Sequence, residues 1–90
     1  MQGAIADIHE LFTFLHNIYV QLDTISSLQI LQEGAAEVCI FYDNNVENEA
    51  FAGALRLAND MATQCVEATT LNMCKSRFTS TYSCIKALSS

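Results

Sequence analysis

Four cysteines, at positions 39, 65, 74 and 84, carry the most distinctive chemistry of this 90-residue sequence. An even number in so short a chain fits two disulfides, which are typical of small exported proteins. The alternative is four reduced cysteines in the core of a cytosolic helical protein. The spacing contains none of the closely spaced pairs that zinc knuckles use, which disfavours a metal site. We therefore predict two disulfides, no metal and a secreted, extracellular protein.

No group of residues is arranged for catalysis. His9 and His16 lie two helical turns apart, too far for two ligands of one metal ion, so we expect them and Asp23 to form a solvated helix edge. The alternative for the histidines is a pH-sensing role within an interface. No nucleophile elbow, Gly-rich phosphate loop or H-E-x-x-H motif occurs. Since Cys65 and Cys74 lie on apolar seams, we expect no enzyme and no cofactor.

The acidic balance of the chain argues against nucleic acid as a partner. Ten Asp and Glu residues against four Lys and Arg give a net charge of −6, whereas phosphate binding needs a basic face. The longest apolar run, residues 38–42, is far too short for a transmembrane segment. Residues 1–20 contain no Lys or Arg and therefore do not resemble a signal peptide. We expect a mature chain whose leader has been removed.

The absence of proline and the presence of only three glycines favour helix throughout. Apolar residues at 3–4 spacing predict a long first helix over residues 4–25. Residues 28–33 are either its continuation or its kinked last turn, and Gly34 ends it. A short second helix is expected over residues 35–43. The prediction is one all-α domain of residues 1–90, a small disulfide-stapled bundle of about four helices.

The second half of the chain is expected to be a helical hairpin. Asn44 and Glu47 have the spacing of a capping box, which predicts a helix from there to about residue 66. Thr69 and Thr70 are positioned to cap a last helix over residues 71–88. The buried face of the first of these helices is predicted to comprise Phe51, Leu55, Ala58, Ala62 and Cys65. That of the second comprises Cys74, Phe78, Thr81, Ile85 and Leu88.

A continuous last helix excludes one of the three possible cysteine pairings. Cys74 and Cys84 would lie about 15 Å apart on it, whereas a disulfide tolerates about 7 Å between Cα atoms. The remaining pairings are Cys65–Cys74 with Cys39–Cys84, or Cys65–Cys84 with Cys39–Cys74. In an antiparallel hairpin, Cys65 and Cys74 face each other across the loop. This geometry favours Cys65–Cys74 with Cys39–Cys84.

The spacing Cys65-x8-Cys74-x9-Cys84 resembles the last three cysteines of insect odorant-binding proteins. Members of that family are small, secreted, all-helical carriers of hydrophobic ligands with interlocked disulfides, so the resemblance implies a carrier of a lipophilic molecule. It covers residues 65–84 only and rests on spacing. The chain departs from the family in having four cysteines rather than six, and Asp43 stands where a partner of Cys39 would be expected.

The apolar content of 51% exceeds what a small interior readily covers. Phe14, Val20, Leu57 and residues 28–31 lie off the main seams or at their edges. The surplus is explained by scattered exposed residues, by an interface, or by a ligand cavity. The residues expected to line such a surface or cavity are Phe12, Phe14, Leu15, Ile18, Tyr19, Leu22, Leu28, Leu31, Phe41, Tyr42, Phe51 and Phe78.

The function expected from these features is binding rather than catalysis. We expect a small secreted domain that acts through an apolar helical surface, by contacting a protein partner or by self-association as a homodimer. The alternative is a carrier of a small lipophilic ligand in an internal cavity. A further alternative is an assembly domain of an extracellular structural protein.

Overall fold

Four α-helices and a 3₁₀ turn form the structure, a computed structural model that describes residues 7–38 and 46–89. No strand occurs in these two ranges, so the predicted all-α fold is confirmed. Within the same ranges, no helix combines the length and the hydropathy needed to cross a membrane. The elements are α1 (Ile8–Tyr19), a 3₁₀ turn (Leu22–Thr24), α2 (Leu28–Ala36), α3 (Glu49–Glu67) and α4 (Leu71–Ser89).

The first helix ends at Tyr19, six residues earlier than predicted. A side chain takes over one hydrogen bond that would continue it: the Gln21 side-chain amide donates to the Asn17 carbonyl at 2.8 Å, while the Gln21 backbone amide donates to the Ile18 carbonyl. The Thr24 hydroxyl donates to the Gln21 carbonyl at 2.8 Å, in addition to the backbone amide of Ile25, which donates to the same carbonyl. Such local side-chain bonds compete with the helical ladder. The 3₁₀ turn that follows still buries Leu22 in the core, so the predicted apolar pattern is kept although the helix is not.

A separate helix, α2, replaces the predicted continuation over residues 28–33. Ser27 is extended, and its hydroxyl accepts a hydrogen bond from the Ile30 amide at 3.3 Å, which makes Ser27 the N-cap. Gly34 does not end a helix, because it lies inside α2, where it faces the Ile18 side chain of α1. The short helix predicted over residues 35–43 is wrong at its start, because Ala35 belongs to α2. Residues 39–43 lie outside the described ranges.

The hairpin of α3 and α4 agrees with the sequence except at its entry. Asn48, not Asn44, caps α3: its side-chain oxygen accepts from the Phe51 amide at 3.0 Å, so Glu47 precedes the helix. Asn44 lies outside the described residues. The Thr70 hydroxyl accepts from the Met73 amide at 3.2 Å and starts α4 as predicted.

The core lies between all four helices, and no polar or charged side chain is buried within the described ranges. The predicted face of α3 is buried throughout, from Phe51 to Cys65. The face of α4 differs from the prediction, because Tyr82 is buried and Leu88 is exposed. The cause is α1, which packs against the side of α4 that carries Tyr82. The buried residues of α4 therefore lie closer to α1 than the sequence predicts.

The side-chain amide of one α2 residue, Gln32, donates hydrogen bonds to the carbonyl groups at the C-terminal end of α3. Gln32 Nε2 donates to the carbonyl oxygens of Cys65 at 3.0 Å, Val66 at 3.1 Å and Ala68 at 3.4 Å. The last carbonyls of a helix have no partner within the helix and need one from elsewhere. Gln32 supplies it and thereby fixes α2 against the closed end of the hairpin.

We predict that Gln32→Leu lowers the free energy of unfolding by about 1–2 kcal/mol, because the carbonyls at the end of α3 lose a side-chain donor and, among the described residues, the Cys65 carbonyl keeps only the Ala68 amide. Urea unfolding followed by circular dichroism measures the change. The matched control is Gln29→Leu, since the Gln29 amide reaches only Glu33 at 3.4 Å on an exposed surface. We expect that control to change stability by less than about 0.5 kcal/mol. Equal losses in the two variants would contradict the proposed role of Gln32.

Candidate binding surfaces

Most of the residues predicted to bind a partner or ligand instead pack the bundle. Leu15, Leu22, Leu31, Phe51 and Phe78 are buried in the core. The predicted residues that are partly buried against that core are Phe12, Phe14, Ile18 and Leu28. Of the described members of the set, Tyr19 is the most exposed, and Phe41 and Tyr42 lie outside the described residues.

An aromatic cluster centred on Tyr82 joins α1 to α4. The rings of Tyr19 and Tyr82 are stacked with centroids 4.1 Å apart, and Phe12 stacks on Tyr82 at 5.3 Å. His16 Nδ1 lies 2.7 Å from the Tyr82 hydroxyl, within hydrogen-bond distance. Phe12 and Tyr19 therefore fill the space between two helices instead of lining an open cavity. Tyr82 is not among the residues of α4 that the sequence predicts to be buried, although its spacing from Phe78 and Ile85 fits that face.

The environment of Tyr82 disfavours its ionised form. Burial is the main cause that raises the pKa of the Tyr82 phenol, and the neighbouring Tyr19 phenol raises it further. His9, His16 and Asp23 are exposed, as expected for a solvated edge, but His16 also contacts Tyr82.

Of the three cysteines in the described residues, two form a buried pair and the third is exposed. Cys65 and Cys74 are both buried and form a disulfide, with Cα atoms 4.6 Å apart. Cys84 lies on the same continuous helix as Cys74 and is exposed, and it has no disulfide partner among the described residues. Cys39 is outside the described residues, and so is the predicted Cys39–Cys84 pair. Across residues 7–38 and 46–89, no group of three or more His, Cys, Asp or Glu side chains could hold a metal ion.

A small apolar groove lies where α1 and the 3₁₀ turn meet α2. Its volume is about 160 Å³, and Gln21 is its one polar lining residue. Ile30 is 61% exposed beside Leu31, which belongs to the core. The remaining lining residues are Ile18, Ile25 and Gly34.

A larger groove of about 680 Å³ runs between α3 and α4 and is polar as well as apolar. It carries both charge signs, from Glu67 at the end of α3 and Arg77 on α4. Its other lining residues are Gln64, Ala68, Asn72, Met73, Ser76 and Ser80.

Exposed apolar side chains extend this groove along both helices. Met73 is 54% exposed in the groove, and Leu88 is 46% exposed on the same stripe of α4, which passes through Arg77, Ser80 and Cys84 at helical spacing. Leu57 is 39% exposed two turns before Gln64 on α3. We call this surface the α3–α4 outer face and define it by six residues: Leu57, Glu67, Met73, Arg77, Cys84 and Leu88. The sequence marked Leu57 as off the seam but assigned Leu88 to the core.

We predict that Tyr82→Phe reduces the loss of stability at alkaline pH. Because the folded pKa of Tyr82 is raised, its contribution to stability is complete below the unfolded pKa of about 10 and is lost as pH rises through the folded pKa. The variant lacks this proton, so its thermal stability should decline less steeply from about one pH unit below the unfolded pKa to about one unit above it. Tyr19→Phe, which leaves Tyr82 buried, should keep most of the decline. An unchanged decline in Tyr82→Phe would show that Tyr82 does not cause it.

No protein-family model matches this chain, and the searches of curated proteins and of solved structures found no match either. Function is therefore inferred from the chain's own residues and surfaces.

Proposed function

We propose that this chain is a small secreted binding domain without enzymatic activity, which associates through the α3–α4 outer face with a protein partner or a second copy of itself. The observation that carries the proposal is the exposure of Leu57, Met73 and Leu88 on one side of the same helix pair. Single exposed apolar residues are normal on a protein surface, but several on one side of a helix pair, interspersed with polar side chains, are typical of a non-obligate interface. Arg77 and Ser80 lie between the apolar residues, so the surface is mixed and not a continuous apolar patch.

The disulfide supports the extracellular part of the proposal. Cys65 and Cys74 join the two ends of the short α3–α4 connection, and such bonds persist in oxidising compartments. A small domain also gains proportionally more from a covalent link than a large one, because its core is limited.

A second candidate function is the carriage of a lipophilic molecule in the groove between α1 and α2. The apolar lining from Ile18, Ile25 and Ile30 favours it. A groove of about 160 Å³ is smaller than the 300–1,000 Å³, roughly, of sites that enclose a drug-sized ligand. It is therefore suited to an alkyl end or a single ring.

We expect the wild-type protein to form dimers or larger species at micromolar concentration, and Met73→Gln to weaken them. Removing an exposed methionine from an interface costs apolar burial but leaves the monomer core intact, since Met73 is exposed. Light scattering coupled to size exclusion, over a range of concentrations, measures the molar mass.

The control for this experiment is Val66→Gln. Val66 is 53% exposed on α3 but does not line the α3–α4 groove, so its substitution should leave association unchanged. A clean wild-type monomer at high concentration counts against the proposal, as does equal weakening by both substitutions.

The carrier function predicts that a medium-chain fatty acid, used as the probe, binds the folded monomer through its alkyl end, which isothermal titration calorimetry measures. Ile30→Gln should weaken probe binding about tenfold, because a polar side chain then stands at the apolar groove. Val66→Gln should leave probe binding unchanged. A folded monomer that binds no probe would end the carrier hypothesis.

A further inference from the structure

We propose that this chain forms a two-fold homodimer in which Glu67 of each copy pairs with Arg77 of the other across the α3–α4 outer face. The inference rests on the proposed association function and adds to it the identity of the partner and the register of the contact.

Two opposite charges on this face have no partner among the described residues. Glu67 and Arg77 line the same groove, yet neither side chain has an ion pair or a hydrogen bond within residues 7–38 and 46–89. Glu67 is also the last residue of α3, where the helix dipole already concentrates negative charge. A cation from another molecule would offset that charge, and a carboxylate from another molecule would pair with Arg77.

The charge distribution makes the protein complementary to itself. All ten acidic residues lie between positions 7 and 67, whereas positions 68–90 contain Lys75, Arg77 and Lys86 and no acid. α4 is therefore the basic helix of an acidic protein, and the outer face is where it borders the acid-bearing α3. The three cations of α4, in a chain of net charge −6, are few for binding a polyanion. An acidic protein surface, such as α3 of a second copy, is a better match.

If two copies are related by a two-fold axis, the same surface provides a partner for both Glu67 and Arg77. In such an isologous interface each contact occurs twice, so α4 of each copy lies over α3 of the other and the Glu67–Arg77 pair forms once on each side of the axis. Exposed ion pairs add little affinity but select orientation. Burial of Leu57, Met73 and Leu88 from both copies supplies the attraction. The stripe from Met73 to Leu88 extends about 22 Å along α4.

The test is a charge swap followed by sedimentation equilibrium at low salt. Arg77→Glu and Glu67→Arg each place like charges opposite one another in both symmetry-related contacts, so each should raise the dissociation constant at least about tenfold. The double variant re-forms the pairs in reverse and should return to within about threefold of wild type. Mixing the two single variants should give a heterodimer, because each brings the sign that the other lacks.

Arg56→Glu is the matched control for net charge. It makes the same charge change as Arg77→Glu, at an exposed position of α3 that does not line the groove, and should alter the dissociation constant by less than about twofold. Circular dichroism spectra should show that every variant keeps the helical content of the wild type.

The possible failures are distinguishable. Single reversals that leave the dimer unchanged, or a double variant that does not restore it, would overturn the Glu67–Arg77 pairing. If Met73→Gln weakens the dimer while the reversals do not, association through the outer face stands and only the pairing is wrong. A wild-type protein that stays monomeric overturns both.

Discussion

The closed end of the α3–α4 hairpin is the constraint on which the rest of the structure depends. The Cys65–Cys74 disulfide joins the two helices there, and Gln32 of α2 binds the carbonyls of the same turn. Closing so short a loop contributes about 3 kcal/mol in the chain-entropy model, a large share of the roughly 5–15 kcal/mol by which small domains are stable. Three of the four helices thus meet at one covalently fixed point, and α1 completes the bundle by packing its aromatic rings on α4.

Fixing the hairpin also determines which surfaces remain available. With the α3 seam turned into the core and α1 covering the Tyr82 side of α4, the opposite flank of α4 has no helix over it in the described residues. Met73 and Leu88 are exposed for that reason, as are Glu67 and Arg77. The proposed binding surface is thus a consequence of how four helices share a small core.

The hairpin could be predicted from the sequence, but the first half of the chain could not. Thr70 and the apolar repeat from Phe51 to Cys65 specify α3 and α4 locally, because caps and periodicity act within a few residues. The break after Tyr19 depends on a side-chain bond from Gln21 that competes with an equally plausible helix. The exposure of Leu88 depends on where a distant helix packs, which periodicity on α4 alone does not encode. The α3–α4 outer face could not be predicted either, because it also depends on which side of α4 the other helices leave exposed.

The stacked pair of Tyr19 and Tyr82 gives the fold an optical signature. The chain contains no tryptophan, so tyrosines dominate its near-ultraviolet absorption and emission. Two like chromophores that are nearly parallel, with centroids 4.1 Å apart, couple their electronic transitions. One ring belongs to α1 and the other to α4, so the coupling exists only while these helices are docked. The docking of α1 can therefore be followed by near-ultraviolet circular dichroism without any label.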